Sequence, residues 1–210
     1  MSSAVIVDVV RAASGKGKPC RALSNVHPVA LLADTLRVLL GRNDVDPATI
    51  DDVIAGCVSQ AGDQTLNIAR NAVLAAGILE SVPGTTVDRQ CGSSQQAVHF
   101  AAQGVIAGAY DIVIACGVES MSRVPMGYSS VDQHPTAPLA APYPESLINQ
   151  GVSAELIAAR WKFDGEVLDA YSARSHQRAA AALADGGFVN EIVPIAVGDT
   201  LHDTDQTVRA

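Results

Sequence analysis

The sequence predicts a layered α/β domain built on a parallel sheet, and three observations lead there. Short β-branched runs recur at residues 4–10, 51–58, 84–88 and 111–118. Helical segments with apolar residues at i, i+3 and i+4 separate them. Aromatic residues make up only 4% of the 210 residues, which leaves Ala, Val, Ile and Leu to pack close helix-on-sheet layers. Strands alternating with helices of this length pair in parallel, because each crossover returns the chain to the same end of the sheet.

Taken in order, AVIVDVV (4–10) reads as a buried strand and RAASGKGKP as a loop. Pro28 opens a helix over residues 28–42, in which Val29, Leu32, Ala33, Leu36, Leu39 and Leu40 recur at helical spacing. Proline suits that first position because the first-turn N–H groups have no partner inside the helix. DDVIAGCV (51–58) is the second strand, and TLNIARNAVLAAG (65–77) is a helix stopped at Gly77. GTTVD (84–88) is the third strand, and the helix beginning at Cys91 follows at once. DIVIACGV (111–118) is the fourth.

The pattern then breaks. Pro125, Pro135, Pro138, Pro142 and Pro144 mark an excursion away from the sheet. Helices follow at 153–163 and 166–186, then a short extended segment at 191–197 and a polar tail. The expected division is an α/β core over 1–118 and a mostly helical loop domain over 119–210.

A net charge of -8 argues against nucleic acid or an anionic membrane surface as partner. No apolar run approaches the roughly 18 residues that span a bilayer. The opening MSSAVIVDVV lacks the basic start of an export signal, so a reduced, cytoplasmic setting is expected for Cys20, Cys57, Cys91 and Cys116. Their spacing suggests no metal site.

The segment that carries chemistry is GTTVDRQCGSSQQAVHFAAQG (84–104). A strand runs into a helix almost without a loop, with Cys91 at the junction. There the first helical N–H groups are unpaired and the helix dipole is positive, which favours thiolate over thiol. The same N–H groups suit the oxyanion formed when a carbonyl is attacked. Gly92 leaves space beside the sulfur, Ser93 and Ser94 are candidate caps, and Arg89 adds nearby positive charge. On residues alone two readings stand: a nucleophile, or the commoner small buried hydrophobe. Cys57 and Cys116, inside strands, read as core. His99 lies two turns along the helix from Cys91, too far for direct contact.

VDRQCGSSQQA, followed by GVIAGAYDIVIACGVESMSRVPMG, resembles the thiolase signature. The resemblance extends to the opening strand, to IDDVIAGCV and to NIARNAVLAAG, and so covers essentially the whole chain. It implies a thiolase-like layered α/β sheet, here an incomplete N-terminal half, with an inserted, mostly helical loop domain. Cys91 would be the acylated nucleophile of an acyltransferase that cleaves 3-ketoacyl-CoA with CoA, in fatty acid or steroid side-chain degradation. Coenzyme A would be a substrate, with no permanently bound cofactor, and no substrate-binding residue is assigned.

The family's His-Met-Gly-x-Thr-Ala-Glu stretch is replaced here by Asn149, Gln150, Gly151, Val152, Ser153, Ala154 and Glu155. Its Gly-His-Pro and Cys-x-Gly segments, which supply the acid and base, do not occur. Nor does the Asn-Ala-Ser-Gly stretch of the last strand of the first half. The expected partners are therefore CoA thioesters, a further copy in a dimer or tetramer, or a chain supplying the C-terminal half. A non-catalytic assembly partner of an intact thiolase, or an acetoacetyl-CoA-forming condensing enzyme, is the alternative.

Overall fold

Residues 4–10 are where the chain first departs from its own local pattern. The computed structural model describes residues 3–144 and 147–209. Its first strand, β1, is only Arg11–Ala12, and residues 4–10 belong to no strand. Val5, Ile6 and Val7 are about four-fifths exposed instead of buried. An apolar run becomes a buried strand only where a neighbouring edge takes its backbone hydrogen bonds, and among the described residues none does so here.

The remaining elements of the core follow the expected order with shorter limits. They are α1 (Pro28–Arg42), β2 (Asp52–Gly56), α2 (Ile68–Ala76), β3 (Gly84–Val87), α3 (Ser93–Ile106) and β4 (Val113–Gly117). β2 lies between β3 and β4, and both pairings are parallel. All five residues of β2 are buried, as expected of a central strand covered on both faces.

The two-residue alternation of β2 divides the core. Val53 and Ala55 pack with Leu32 and Leu36 of α1 and with Ala69, Ala72 and Val73 of α2. Ile54 packs with Ala97 and Ala101 of α3 on the other face. α1 starts on Pro28 with the Nδ1 of His27 accepting the Val29 N–H at 3.2 Å, and α2 stops on Gly77 at φ 78°. That angle favours glycine, because a Cβ would clash there.

Beyond the core, the chain forms α4 (Gln150–Trp161), α5 (Gly165–Ala184), β5 (Ile192–Val193), β6 (Ile195–Val197) and β7 (Thr200–His202). The tail expected to be merely polar thus contains a hairpin, with β6 and β7 antiparallel about Gly198 at φ 58° and Asp199. A two-residue Gly-Asp turn is a recognised hairpin signal. β5 pairs in parallel with β1.

Contacts divide the chain into Met1–Ser129 with Val189–Thr207, and Ser130–Phe188 with Val208–Ala210. Glu119 to Val124 are tied to the first of these units. The Glu119 carboxyl bonds Val58 and Gln64, Arg123 pairs with Asp63, and Val124 is buried. In the second unit, Asn149 caps α4 by accepting the Gly151 N–H at 2.8 Å, and Asp164 caps α5 through the Val167 N–H at 2.9 Å. Asn149 therefore has a structural role at the position where the family pattern carries His. No helix among the described residues is long and apolar enough to cross a membrane.

Candidate active site

β3 ends at Val87 and α3 begins at Ser93, so five residues turn the chain from strand to helix. Asp88 starts the turn by accepting the Gln90 N–H through Oδ1 at 2.7 Å. Gln90 sits at φ 44°, a left-handed conformation uncommon for a residue with a side chain. Ser93, buried, closes the turn from the other side: its Oγ donates to Gln90 O at 2.7 Å and accepts the Arg89 N–H at 3.0 Å. Gly92, the N-cap residue, makes no side-chain cap bond. Ser93 therefore braces the turn instead of capping the helix.

The braced turn presents Cys91 to solvent immediately before the helix start. The N–H groups of Gly92, Ser93 and Gln96 are engaged with Arg89 O, Gln90 O and Gly92 O. Those of Ser94 and Gln95 have no acceptor among the described residues. Two unengaged donors thus lie at the positive end of a 14-residue helix that begins two residues after the exposed Cys91.

Two glycines set this helix end against the sheet. A Cβ on Gly56, the last residue of β2, would lie 2.2 Å from the Ser94 backbone nitrogen. A Cβ on Gly117, the last residue of β4, would lie 1.9 Å from Ser94 Oγ. Only bare backbone at both strand ends lets the first turn of α3 seat there.

A second network secures the loops that leave β2 and β4. The Glu119 carboxyl accepts the Val58 N–H at 2.8 Å and Gln64 Nε2 at 2.9 Å. Gln64, fully buried, also donates to Ser59 O at 2.9 Å and accepts the Ser120 N–H at 2.6 Å. Cys57 lies between these loops. Burial pushes its thiol up to about 12, and the neighbouring Glu119 and Asp88 carboxylates add to the effect.

The arrangement is one solvent-facing thiol at a glycine-seated helix start, and a sequence profile of the thiolase N-terminal domain matches residues 4–210. The chain belongs to the thiolase family. A steroid 3-ketoacyl-CoA thiolase of Mycobacterium tuberculosis is 45% identical over 205 residues, covering 93% of this chain and 50% of that protein. A 3-ketoacyl-CoA thiolase of Erwinia tasmaniensis is 43% identical over 215 residues, covering 100% of this chain and 54% of that protein. The crystal structure of the Bacillus anthracis acetyl-CoA acetyltransferase matches with a TM-score of 0.84 at 33% identity, over 100% of this chain and 56% of that one. The chain spans about half the length of the relatives it matches.

The other cysteines of this thiolase chain are placed differently from Cys91. Cys57 is buried; Cys116 is partly buried, and desolvation pushes its thiol up to about 12. Cys20 is exposed in the loop that precedes α1. His99 is exposed along α3, and His202 is buried with Nε2 3.1 Å from Ala13 O. Lys16 and Lys18 stay exposed. Among the described residues no group of three His, Cys, Asp or Glu is arranged to hold a metal ion. Gln64 and Asp88 were not legible as site residues from sequence. The signal for Asp88 was the Asp-x-Gln spacing of a side-chain-closed turn before the helix.

Proposed function

We propose that this chain carries the acyl-accepting part of a thiolase-type acyltransferase, with Cys91 as the nucleophile. Its sulfur attacks the 3-keto carbon of a 3-ketoacyl-CoA, and the bond between C2 and C3 breaks. The electron pair leaves with the two-carbon fragment, which takes up a proton to become acetyl-CoA, and the shortened acyl group stays on sulfur. The thiol of a second CoA then takes the acyl group and restores Cys91. The free N–H groups of Ser94 and Gln95 are the nearest candidates to hold the oxyanion. The observation that carries this reading is an exposed thiol in the turn that leads into a helix start with two unengaged donors. CoA is a substrate in it, not a resident cofactor.

Proton transfer is assigned to groups of a complementary thiolase half. The outward face of α3 supports a docked partner: Val98 and Ile106 are exposed there, opposite the buried Gln96, Ala97 and Ala101. That partner is a complementary thiolase half or a further copy of a thiolase chain. A contribution to CoA and acyl-chain binding is assigned to the loop domain, from about residue 119 onward.

Intact-mass measurement after incubation with acetyl-CoA or acetoacetyl-CoA tests the reading, with and without a complementary half. The expected result is one acetyl adduct, absent in Cys91→Ala. If no adduct appears under either condition, the chain is a non-catalytic assembly partner.

A further inference from the structure

Gln90, the residue before Cys91, is held through its N–H, its side-chain amide and its carbonyl. The N–H donates to Asp88 Oδ1 at 2.7 Å, and Nε2 donates to Asp88 Oδ2 at 3.3 Å. The carbonyl oxygen accepts the Ser93 hydroxyl at 2.7 Å and the Ser93 N–H at 3.2 Å. These bonds converge on an unfavourable backbone, since at φ 44° the Cβ of an L-residue crowds the neighbouring carbonyl. A residue stays in such a conformation only where its surroundings over-determine it, and such residues gather at functional sites.

The two braces are unequal. Asp88 is exposed, so water can replace its carboxylate as acceptor. Ser93 is only 4% exposed, and its Oγ also accepts the Arg89 N–H at 3.0 Å. Its hydroxyl therefore joins the peptide that enters Arg89 to the peptide that leads into Cys91. Both bonds run back into the turn from the first residue of α3, whereas a cap would bond N–H groups further along the helix.

We infer that Ser93 is a positioning residue for Cys91. Its buried hydroxyl holds the oxygen of the Gln90–Cys91 peptide, and the nitrogen of that rigid plane belongs to Cys91. The plane cannot rotate without breaking the bond, so the direction in which Cys91 leaves the turn is fixed. Without the hydroxyl, Gln90 leaves the left-handed region, and the Cα–Cβ bond of Cys91 turns with it. The inference rests on Cys91 as the reactive thiol and adds which residue aims it.

The test is the rate at which iodoacetamide alkylates Cys91 in the folded chain, read by peptide mapping with the exposed Cys20 as internal reference. Alkylation needs the sulfur facing solvent as thiolate, and a turn that samples other shapes presents it for less of the time. Ser93→Ala is expected to slow Cys91 at least about fivefold against Cys20, and Asp88→Ala by less than about twofold. Ser93→Thr keeps the hydroxyl and is expected to stay within about threefold of the parent.

Two double variants separate aim from general stability. Glycine takes φ 44° without a clash, so adding Gln90→Gly to Ser93→Ala is expected to return the rate to within about twofold of the parent. Adding Gly41→Ala instead favours the helix far along the sequence, and is expected to raise the urea midpoint without restoring the rate. The inference is overturned if Ser93→Ala keeps the parent rate or if Ser93→Thr is as slow as Ser93→Ala. It is equally overturned if Gln90→Gly fails to rescue, or if Gly41→Ala rescues as well. Alkylation needs no acyl donor and no partner. A parent chain that never takes an acetyl group therefore rejects the catalytic reading alone, and an unmoved Ser93→Ala rate rejects the positioning role alone.

Discussion

Glu119 Oε1 and Gln64 Nε2 meet at 2.9 Å, joining the loop after β2 to the segment after β4. Gln64 is completely buried, so each of its polar atoms needs a partner inside the protein, and each has one. Glu119→Ala leaves the Val58 N–H and one Gln64 donor interaction without an acceptor. We expect a loss of about 2–3 kcal/mol, read as a shift of the urea midpoint at constant slope. A change within about 0.5 kcal/mol would mean that water replaces the carboxyl.

Gly56→Ala is expected to cost about 2–3 kcal/mol, because the added methyl meets backbone atoms of Ser93 and Ser94 that cannot rotate away. Gly41→Ala is the control: nothing lies within 4 Å of its Cβ, and alanine favours the helix by up to about 1 kcal/mol. If both substitutions behave alike in thermal melts, the close seating of α3 on the strand ends is wrong.

Alkylation with iodoacetamide at pH 8 separates the four cysteines. Cys91 and Cys20 are exposed and are expected to be modified. Cys57 and Cys116 have thiols pushed up to about 12, so almost no thiolate is present, and they are expected to stay intact in the folded chain. Peptide mapping before and after unfolding checks this. Early labelling of Cys57 would contradict its burial.

Asp205 receives two bonds from the Arg11 guanidinium, at 2.8 and 2.9 Å, and the Ser14 N–H at 2.6 Å. The guanidinium comes first among the causes that lower its carboxyl to about 2. A carboxyl lowered in the folded state stabilises it above the unfolded value near 3.9, and that stabilisation is lost as pH falls toward 2. Asp205→Asn is therefore expected to cost about 1–2 kcal/mol at pH 7, discounted for the partly exposed Arg11. The gap to the parent should close between about pH 4 and pH 2. A gap that persists at pH 2 would point to shape, not charge.

Much of this was legible in the residues. Pro28, Gly77 and the apolar spacing of α1 marked helix limits that the structure keeps within a few residues. The direct passage from GTTVD to CGSSQQA placed Cys91 in a strand-to-helix turn, and that is where it lies. Such features depend on neighbours in the chain: φ limits, first-turn donors and side-chain alternation act within a few residues. Ser93 shows the boundary of that reach. Its type promised a cap, but the left-handed Gln90 turned the backbone so that Ser93 Oγ braces the turn.

The exposed Cys91 with which the sequence is most informative needed only local rules to place: a strand, a five-residue turn and a helix start. Tertiary structure alone decided the surroundings. Residues 4–10 have the composition of a buried strand and remain exposed, because burial depends on which edge lies alongside. Residues 189–207 return to β1 through Glu191 and Asp205, more than 175 positions away in the chain for the Arg11 pairings. The Glu119–Gln64 link arises in the same way. Each is a pairing between distant segments, set by the geometry that brings their edges together, and no local periodicity encodes it.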